Sequence, residues 1–215
     1  MTTRVFIVDD HPAVREGLAA RISLEPDLEV CGEAADVSEA VELMASARPD
    51  VAIVDIQLKT GNGLDLIKRL KARDDSIRIL VCSVYPDQLY AQRALHAGAL
   101  GYISKEHTTS LVIEAIRRVR DGKVYLCEQT AEDLLSQSVG GNHSPEKSGI
   151  ESLSDRELEV FQLIGEGSST VDIADRLHIS RHTVDTHRQR IKEKLNLASA
   201  RELTRSAMQW VLEGP

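Results

Sequence analysis

Residues 5–10 read VFIVDD, a run of four apolar residues that ends in two aspartates. Similar short apolar runs follow at 28–31, 51–54, 79–82 and 100–103. Runs that are apolar at nearly every position are typical of strands buried on both faces of a sheet. The sequence therefore predicts five such strands, and the first delivers acidic side chains at its carboxyl end.

Segments whose apolar residues recur at a helical spacing lie between these runs. They are clearest at 12–25, 36–47, 63–72 and 107–121. Five strands that alternate with five helices predict an α/β fold, a doubly wound parallel sheet of five strands. Only 3% of the residues are aromatic, so the core of this sheet must be built from aliphatic side chains.

From Ser154 onward the pattern is helical throughout. Ser154 and Glu157 have the spacing of a capping box, which opens a helix by satisfying its first backbone amides. Further helices are predicted at 169–177, from Ser180, which is a suitable N-cap, and at 199–212. This region therefore forms a small all-α domain of four helices that follows the α/β domain.

The stretch between the two patterns has the composition of a linker. Residues 140–145 are rich in turn-forming residues, and the only helical pattern within 126–150 is a short one at 130–137. We therefore place the α/β domain at 1–125, the linker at 126–150 and the helical domain at 151–215.

Composition limits the class of protein. The longest apolar runs fall well short of the roughly 20 residues that cross a bilayer, and the N-terminus lacks the layout of a signal peptide. Cys31, Cys82 and Cys127 are far apart and odd in number, which argues against a disulfide framework or a zinc site. We expect a cytoplasmic protein with no membrane segment and with reduced thiols.

The net charge of −8 argues against a chain that binds nucleic acid along its whole surface. Residues 176–205 nevertheless contain eight basic and three acidic side chains. A local basic stretch is more informative about DNA binding than the sign of the total charge. The second domain is therefore the candidate for a nucleic-acid interface.

Reactive side chains follow several of the predicted strands. Asp9 and Asp10 end the first strand, Asp55 follows the third, Ser83 ends the fourth and Lys105 follows the fifth. In an open parallel sheet these strand ends meet at the edge where ligands bind. Three carboxylates placed together repel each other unless a cation lies among them, and hard oxygen ligands suit Mg²⁺. The pattern therefore predicts a magnesium site.

Such a site can transfer phosphate to the protein itself. An aspartate beside the metal can attack a phosphoryl group to form an aspartyl phosphate, and a lysine can pair with the phosphoryl oxygens. A serine hydroxyl that turns to the new phosphate converts its charge into a loop movement. Each residue alone has an ordinary explanation, such as a helix cap or a solvated lysine, but the joint arrangement favours this chemistry.

Residues 169–195 have the pattern of two helices that cross over a short turn at 178–180. The second helix would expose polar side chains suited to base edges and phosphates in the major groove. These side chains are Arg181, His182, Asp185, Thr186, Arg188, Gln189 and Lys192. From charge alone, a solvated amphipathic helix without a partner is an equally good interpretation.

Residues 3–122 resemble the receiver domains of response regulators. The motifs that carry the resemblance are Val8-Asp9-Asp10-His11, Val54-Asp55-Ile56, Val81-Cys82-Ser83 and Gly101-Tyr102-Ile103-Ser104-Lys105. The chain departs from the family at Lys59 and at Glu106, where a proline is frequent, and the departure at Lys59 leaves every reactive group in place.

The resemblance to receiver domains implies a role for each reactive group. It implies that Asp55 is the phosphoacceptor. The implied ligands of Mg²⁺ are Asp9, Asp10, Asp55 and the backbone carbonyl of Gln57. The groups implied to respond to the phosphate are Ser83 as switch hydroxyl, Lys105 as phosphate clamp and Tyr102 as the ring that reorients with Ser83.

Residues 151–212 resemble the LuxR-type helix-turn-helix, and with the receiver upstream the chain is similar to the NarL/FixJ subfamily of response regulators. The motif includes Leu153, Ser154, Arg156, Glu157, Glu159, Val160, Gly167, Ile173, Ala174, Ile179, Ser180, Thr183, Val184, His187, Ile191, Lys194 and Leu195. Asp185 departs from the family, in which lysine is frequent at this position. The expected DNA contacts are Arg181, His182, Thr186, Arg188, Gln189 and Lys192.

We therefore expect a two-component response regulator that controls transcription and is not an enzyme. Its expected partners are a sensor histidine kinase, double-stranded promoter DNA and a second copy of the chain, as a homodimer on two half-sites. In the last helix, Leu203, Ala207, Trp210 and Val211 could form the dimer surface or pack inside the domain.

Three other classes of protein fit less well. A phosphohydrolase that uses an aspartyl phosphate needs an Asp-X-Asp pair, whereas Asp9 and Asp10 are adjacent. A dinucleotide-binding domain needs a GxGxxG after the first strand, and this sequence has none there. A phosphate-independent binding module is the third alternative, and the retained Asp55, Ser83 and Lys105 argue against it.

Overall fold

The computed structural model describes residues 2–85, 87–139 and 149–213, which fall into two compact units, 1–140 and 141–215. The strands of the first unit are β1 (Thr3–Val8), β2 (Leu28–Ala34), β3 (Val51–Val54), β4 (Arg78–Ser83) and β5 (Gly101–Ser104). They form one sheet in the order β2-β1-β3-β4-β5, and every neighbouring pair is parallel. The predicted five-stranded parallel sheet is therefore confirmed.

Helices alternate with these strands as the sequence predicts. They are α1 (Pro12–Ser23), α2 (Val37–Ala47), α3 (Gly63–Arg73), α4 (Asp87–Ala97) and α5 (Thr108–Arg120). All four residues of β3 are at most 1% exposed. A strand covered by helices on both faces must be apolar at every position, which explains its unbroken apolar sequence.

The strand order determines where the acidic residues lie. From β1 the sheet extends to one side with β2 and to the other side with β3, β4 and β5, so the direction in which strands are added changes next to β1. The backbone amide of Asp55 donates to the carbonyl of Val8 at 2.8 Å and continues the pairing of β1 with β3 beyond the strands. Asp9 and Asp55 therefore leave the sheet side by side, at the edge where such sheets bind ligands.

A further helix, α6 (Glu128–Val139), lies in the stretch where the sequence predicted a linker with a short helix at 130–137. It contacts α4 within the first unit. The Thr130 hydroxyl and the Cys127 thiol donate to Asp87 Oδ2 at 3.0 and 2.9 Å. The start of this helix is therefore anchored on the first unit by polar contacts that apolar periodicity does not reveal.

The α-helices described in the second unit are α7 (Asp155–Gly165), α8 (Thr170–Arg176), α9 (Arg181–Lys194) and α10 (Ala200–Glu213). The predicted capping box of Ser154 and Glu157 opens α7, and Ser180 caps α9. A second capping box, formed by Ser169 and Asp172, opens α8. Over the described residues of both units, no helix combines the length and the apolar character needed to span a membrane.

Candidate functional sites

The first candidate site lies where β1 and β3 end. Asp9 and Asp55 are almost fully buried there, and Asp10 is partly buried. One donor atom from each of Asp9, Asp10, His11 and Asp55 lies within 4.8 Å of all the others. The carboxylates that the sequence predicts at this edge therefore converge into one cluster, which we call the acidic cluster, with His11 beside them.

Lys105 follows β5 and reaches into the acidic cluster. Its Nζ lies 2.6 Å from Asp9 Oδ2 and 2.7 Å from Asp55 Oδ2. Burial raises the pKa of Asp55 to about 6, against the lowering effect of Lys105, and the nearby Asp9 charge adds to the rise. Burial lowers the pKa of Lys105, but the two carboxylates outweigh it and raise that pKa above its ordinary value. At neutral pH the cluster therefore holds a carboxylate facing an ammonium.

The acidic cluster has the chemistry of a cation site. The Oδ1 atom of Asp55 is buried and has no hydrogen-bond partner among the described residues. Burying a charge without full compensation is costly, and Lys105 brings one positive charge to three carboxylates. Hard oxygen donors of this kind favour Mg²⁺, so the residues present fit the ion that the sequence predicts.

The segment after Asp55 is held against it by the start of α3. Gln57 and Asn62 pair through a single antiparallel bridge, and the Asn62 side chain caps the helix. The backbone amide of Gly63 donates to the carbonyl of Ile56 at 2.7 Å. A Cβ atom at Gly63 would lie 1.9 Å from the carbonyl oxygen of Asp55, so only glycine allows this approach.

The sequence pattern does not single out Gly63. Its one available signal is a glycine placed directly after an asparagine N-cap, eight positions after the candidate phosphoacceptor. Lys59, where the chain departs from the family, is exposed, whereas its neighbour Leu58 is buried. That departure therefore alters the surface of the loop and leaves its buried side apolar.

Ser83 and Tyr102 lie on the two strands beyond β3. Ser83 ends β4, is fully buried, and its Oγ has no hydrogen-bond partner in the described part of the chain. Tyr102 is buried in β5, and its hydroxyl donates to the backbone carbonyl of Tyr85 at 2.8 Å. Burial raises the pKa of Tyr102 well above its ordinary value. The ring of Tyr102 is therefore turned inward in this structure.

The second candidate site is the helix pair α8 and α9, which α7 supports through buried carboxylates. Glu157 accepts from Lys194 Nζ at 2.6 Å and from the backbone amide of Ser154 at 2.8 Å. Burial raises the pKa of Glu157, but Lys194 and Ser154 lower it by more. This contact joins the start of α7 to the end of α9.

The other buried carboxylate of α7, that of Glu159, is linked to the end of α8 through Arg156. Glu159 accepts from Arg156 Nη1 at 2.7 Å, and Arg156 Nη2 donates to the carbonyl of Leu177 at 2.6 Å. The next residue, His178, has a φ of 50° and turns the chain toward α9. The sequence assigns no role to Arg156 and Glu159 beyond membership of the helix-turn-helix motif. The one signal in the sequence is that two opposite charges lie three positions apart on a predicted helix.

The outward side of α9 carries the residues expected to contact DNA. Arg181, His182 and Gln189 are exposed, and Thr186, Arg188 and Lys192 are partly exposed. The Gln189 amide donates to Glu193 at 2.8 Å. Arg190, which is not among the predicted contacts, is exposed and lines the same shallow groove along α9 as Gln189.

Some of the residues proposed for a dimer surface on α10 are buried inside the domain, and others are exposed. Leu203 and Ala207 are fully buried inside the domain, and Trp210 packs against Phe161 with ring centroids 5.7 Å apart. For these residues the intradomain interpretation is therefore correct. The large apolar side chains that α10 exposes are Met208, Val211 and Leu212.

Comparison with protein families identifies both halves of the chain. Residues 5–117 match the family model described as the response regulator receiver domain. Residues 151–207 match the model described as bacterial regulatory proteins of the luxR family. The first match alone spans more than half of the 215 residues.

Individual proteins resemble the chain over nearly its whole length. It is 34% identical over 204 residues to the virulence transcription regulator BvgA of Bordetella pertussis, which covers 94% of this chain and 95% of the relative. It is 34% identical to the DNA-binding transcriptional activator DevR/DosR of Mycobacterium tuberculosis, over 90% of this chain and 88% of the relative. Its fold matches that of RcsB from Salmonella enterica serovar Typhimurium bound to a promoter, with a TM-score of 0.66, 24% identity, and 98% and 100% covered.

Proposed function

The chain belongs to the two-component response regulators that join a receiver domain to a LuxR-type DNA-binding domain, and we propose that phosphorylation of Asp55 controls it. It is a transcriptional regulator and not a classical enzyme. The proposal rests on the buried Asp55 carboxylate, which has one oxygen without a hydrogen-bond partner among the described residues and Lys105 on the other oxygen.

In the proposed reaction, Asp55 Oδ1 attacks the phosphorus atom of a phosphohistidine on a sensor kinase, or of a small phosphodonor. A phosphorus–oxygen bond to Asp55 forms while the bond to the donor breaks, and the donor keeps the bonding electrons. Because the pKa of Asp55 is about 6, most molecules carry the nucleophilic carboxylate at neutral pH. The phosphoryl group stays on the regulator, so no external substrate is turned over.

Asp9, Asp10, Asp55 and the backbone carbonyl of Gln57 would hold Mg²⁺ beside this reaction. When bound there, the ion supplies positive charge against the phosphoryl oxygens. Lys105 already contacts the Asp55 carboxylate, so its ammonium needs only a short movement to pair with a phosphoryl oxygen. The protein therefore contributes a fixed nucleophile and a preplaced cation at the same point.

The product would change the surface through Ser83 and Tyr102. The buried Ser83 hydroxyl lies close enough to Asp55 to lower the pKa of that carboxyl, so it can donate to a phosphate on Asp55. Movement of Ser83 and of the β4–α4 segment would displace the backbone carbonyl of Tyr85, which accepts the hydrogen bond that keeps the Tyr102 ring inward. We propose that this movement shifts a population between two positions of the ring and of the surrounding surface.

The second domain would read double-stranded DNA with α9 in the major groove. The proposed contacts are Arg181, His182, Thr186, Arg188, Gln189 and Lys192, together with the exposed Arg190. A homodimer would double the phosphate contacts, and the exposed apolar side chains of α10 are its candidate surface. DNA as the partner implies action in the cytoplasm of a bacterial cell.

The test is a DNA mobility shift on fragments selected from a random pool, with and without a small phosphodonor and Mg²⁺. The wild type should gain the mass of one phosphate and bind DNA about tenfold more tightly, the range of ordinary allosteric coupling. Asp55→Asn should show neither change, and the control Asp65→Asn, at an exposed position of α3, should match the wild type. A wild type that never acquires phosphate contradicts the proposal.

The proposed DNA surface is tested separately in the same assay. Arg188→Ala and Lys192→Ala should each weaken binding several-fold, because each removes a cation from the outward side of α9. If both variants bind as tightly as the wild type, the recognition surface has been placed on the wrong side of the helix.

A further inference from the structure

His11 lies at the rim of the acidic cluster, and its imidazole has no role in the function proposed above. It is the N-cap residue of α1, with an extended backbone, yet its side chain makes no capping hydrogen bond. Its backbone amide donates to Asp9 Oδ1 at 2.9 Å, and Pro12 begins the helix directly after it. The backbone of His11 is therefore fixed to the cluster, while its imidazole is not used by the helix.

The imidazole faces the carboxylates. His11 Nδ1 lies 2.6 Å from Asp10 Oδ1 and 3.4 Å from Asp9 Oδ1. Ligand atoms at neighbouring corners of an octahedron with metal–ligand bonds of about 2.1 Å are about 3 Å apart. The two observed separations lie on either side of that value, so the nitrogen and both oxygens can occupy adjacent positions around one ion.

An independent observation indicates that this cluster takes a ligand. Asp55 Oδ1 is buried within it and has no hydrogen-bond partner in residues 2–85, 87–139 and 149–213. Its carboxylate belongs to the group of donor atoms that lie within 4.8 Å of one another, and His11 belongs to the same group. The His11 side chain is 59% exposed, so the site is open to solvent on this side for entry of an ion.

We propose that His11 is an additional ligand of the cation site and gives it a preference for Co²⁺, Ni²⁺ or Zn²⁺ over Mg²⁺. The inference depends on the proposed function, because it uses the same three carboxylates. Sites made only of oxygen suit Mg²⁺, whereas an imidazole nitrogen adds affinity for the divalent transition metals. The receiver would then load with Co²⁺ at concentrations well below those it needs of Mg²⁺.

The test is calorimetric titration of the full chain with CoCl₂ and, separately, with MgCl₂. The visible absorption of Co²⁺, which changes when a nitrogen ligand replaces water, provides a second readout of binding. The wild type should bind Co²⁺ at least about tenfold more tightly than Mg²⁺, and His11→Asn should lose about tenfold in Co²⁺ affinity while its Mg²⁺ affinity changes less than about twofold. Asparagine is a favourable N-cap, so this variant keeps the start of α1.

The matched control is His96→Asn, which removes an exposed histidine in the last turn of α4 and should leave both affinities unchanged. An unchanged ratio of the two affinities in His11→Asn overturns the role of His11 and leaves the magnesium site intact. A wild type that binds neither metal overturns the cation site as well, so the two failures are distinguishable.

Discussion

Asp55 carries a charge that the interior of the receiver domain disfavours. Burial raises its pKa to about 6, and Lys105 at 2.7 Å is the cation that limits the rise. Because Lys105 contacts Oδ2, the other oxygen, Oδ1, keeps its lone pairs available. The proposed nucleophile is thus held in place through one oxygen and left reactive at the other.

Gly63→Ala tests how closely the backbone must approach Asp55. The added Cβ would lie 1.9 Å from the Asp55 carbonyl oxygen, so the loop must move, at a cost of about 1–3 kcal/mol in unfolding free energy. We expect this loss in urea denaturation, together with slower phosphorylation by a small phosphodonor.

Gly17→Ala is the control for that substitution. Its Cβ would meet nothing within 4 Å on an exposed position of α1, so alanine should raise stability by about 0.5–1 kcal/mol. Equal stability changes in the two variants would show that the close contact at Gly63 has no energetic weight.

At the scale of elements, α5 is tied to the loop before β2 by ion pairs. Arg117 donates to Asp27 at 3.0 Å and to Glu25 at 2.8 Å, and Arg120 contacts Asp27 at 3.3 Å. The hydrogen bond from Arg117 lowers the pKa of Asp27 to about 2, against 3.8 for an unperturbed aspartate. These contacts join segments about 90 positions apart in the sequence, beyond the reach of any local pattern.

The lowered pKa of Asp27 makes the contribution of this contact depend on pH. The unfolded chain binds more protons than the folded one between about pH 4 and pH 2, so the contribution is complete above pH 4 and is lost as the pH falls. We expect urea midpoints of the wild type to exceed those of Asp27→Asn at pH 5, and the difference to shrink towards pH 2.5. A difference that stays constant over this range contradicts the assignment.

In the second domain, α7 supports the helix-turn-helix through Arg156 and Glu159. Glu159→Gln leaves the partly buried Arg156 guanidinium without its counter-charge and should cost about 2 kcal/mol of unfolding free energy. DNA affinity should fall as well, because Arg156 holds the carbonyl that ends α8.

The control is Glu166→Gln, which breaks a more exposed contact with Arg176 and should change stability by less than about 1 kcal/mol. Thermal unfolding of the full chain and mobility shift on the same preparations measure both effects. If Glu159→Gln and Glu166→Gln are equally mild, the buried pair does not support the DNA-reading helices.

At the scale of the whole molecule, charge is distributed unevenly. The chain has a net charge of −8, whereas α9 carries five basic and two acidic side chains. A long-range field of this sign repels DNA, so binding must come from local contacts with phosphates. Affinity should therefore fall steeply with salt.

Arg190→Ala tests whether local contacts on α9, and not the total charge, govern DNA binding. If Arg190 contacts a phosphate as proposed, its removal should weaken binding to all DNA sequences alike and reduce the slope of log affinity against log salt by about 1. Arg73→Ala makes the same change in net charge at an exposed position of the receiver and should leave the slope unchanged. A reduced slope in both variants would mean that total charge, not the groove on α9, governs binding.

The fold and most of the first site follow from local patterns. Unbroken apolar runs require strands covered on both faces, and parallel strands deliver their carboxyl ends to one edge, so Asp9, Asp10, Asp55 and Lys105 meet there. Capping residues act within one turn of their helix, which is why Ser154 and Ser180 could be recognised in advance.

The amino-acid sequence by itself determined the order of strands and helices, the helix starts and the set of reactive groups at the sheet edge, because each of these depends on periodicity or on neighbours within a few residues. Only the tertiary structure decided the approach of Gly63 to Asp55, the support of α8 by Arg156 and the buried face of α10. Those features depend on how separate elements pack against each other, and close packing is sensitive to a change in side-chain volume as small as one methylene group.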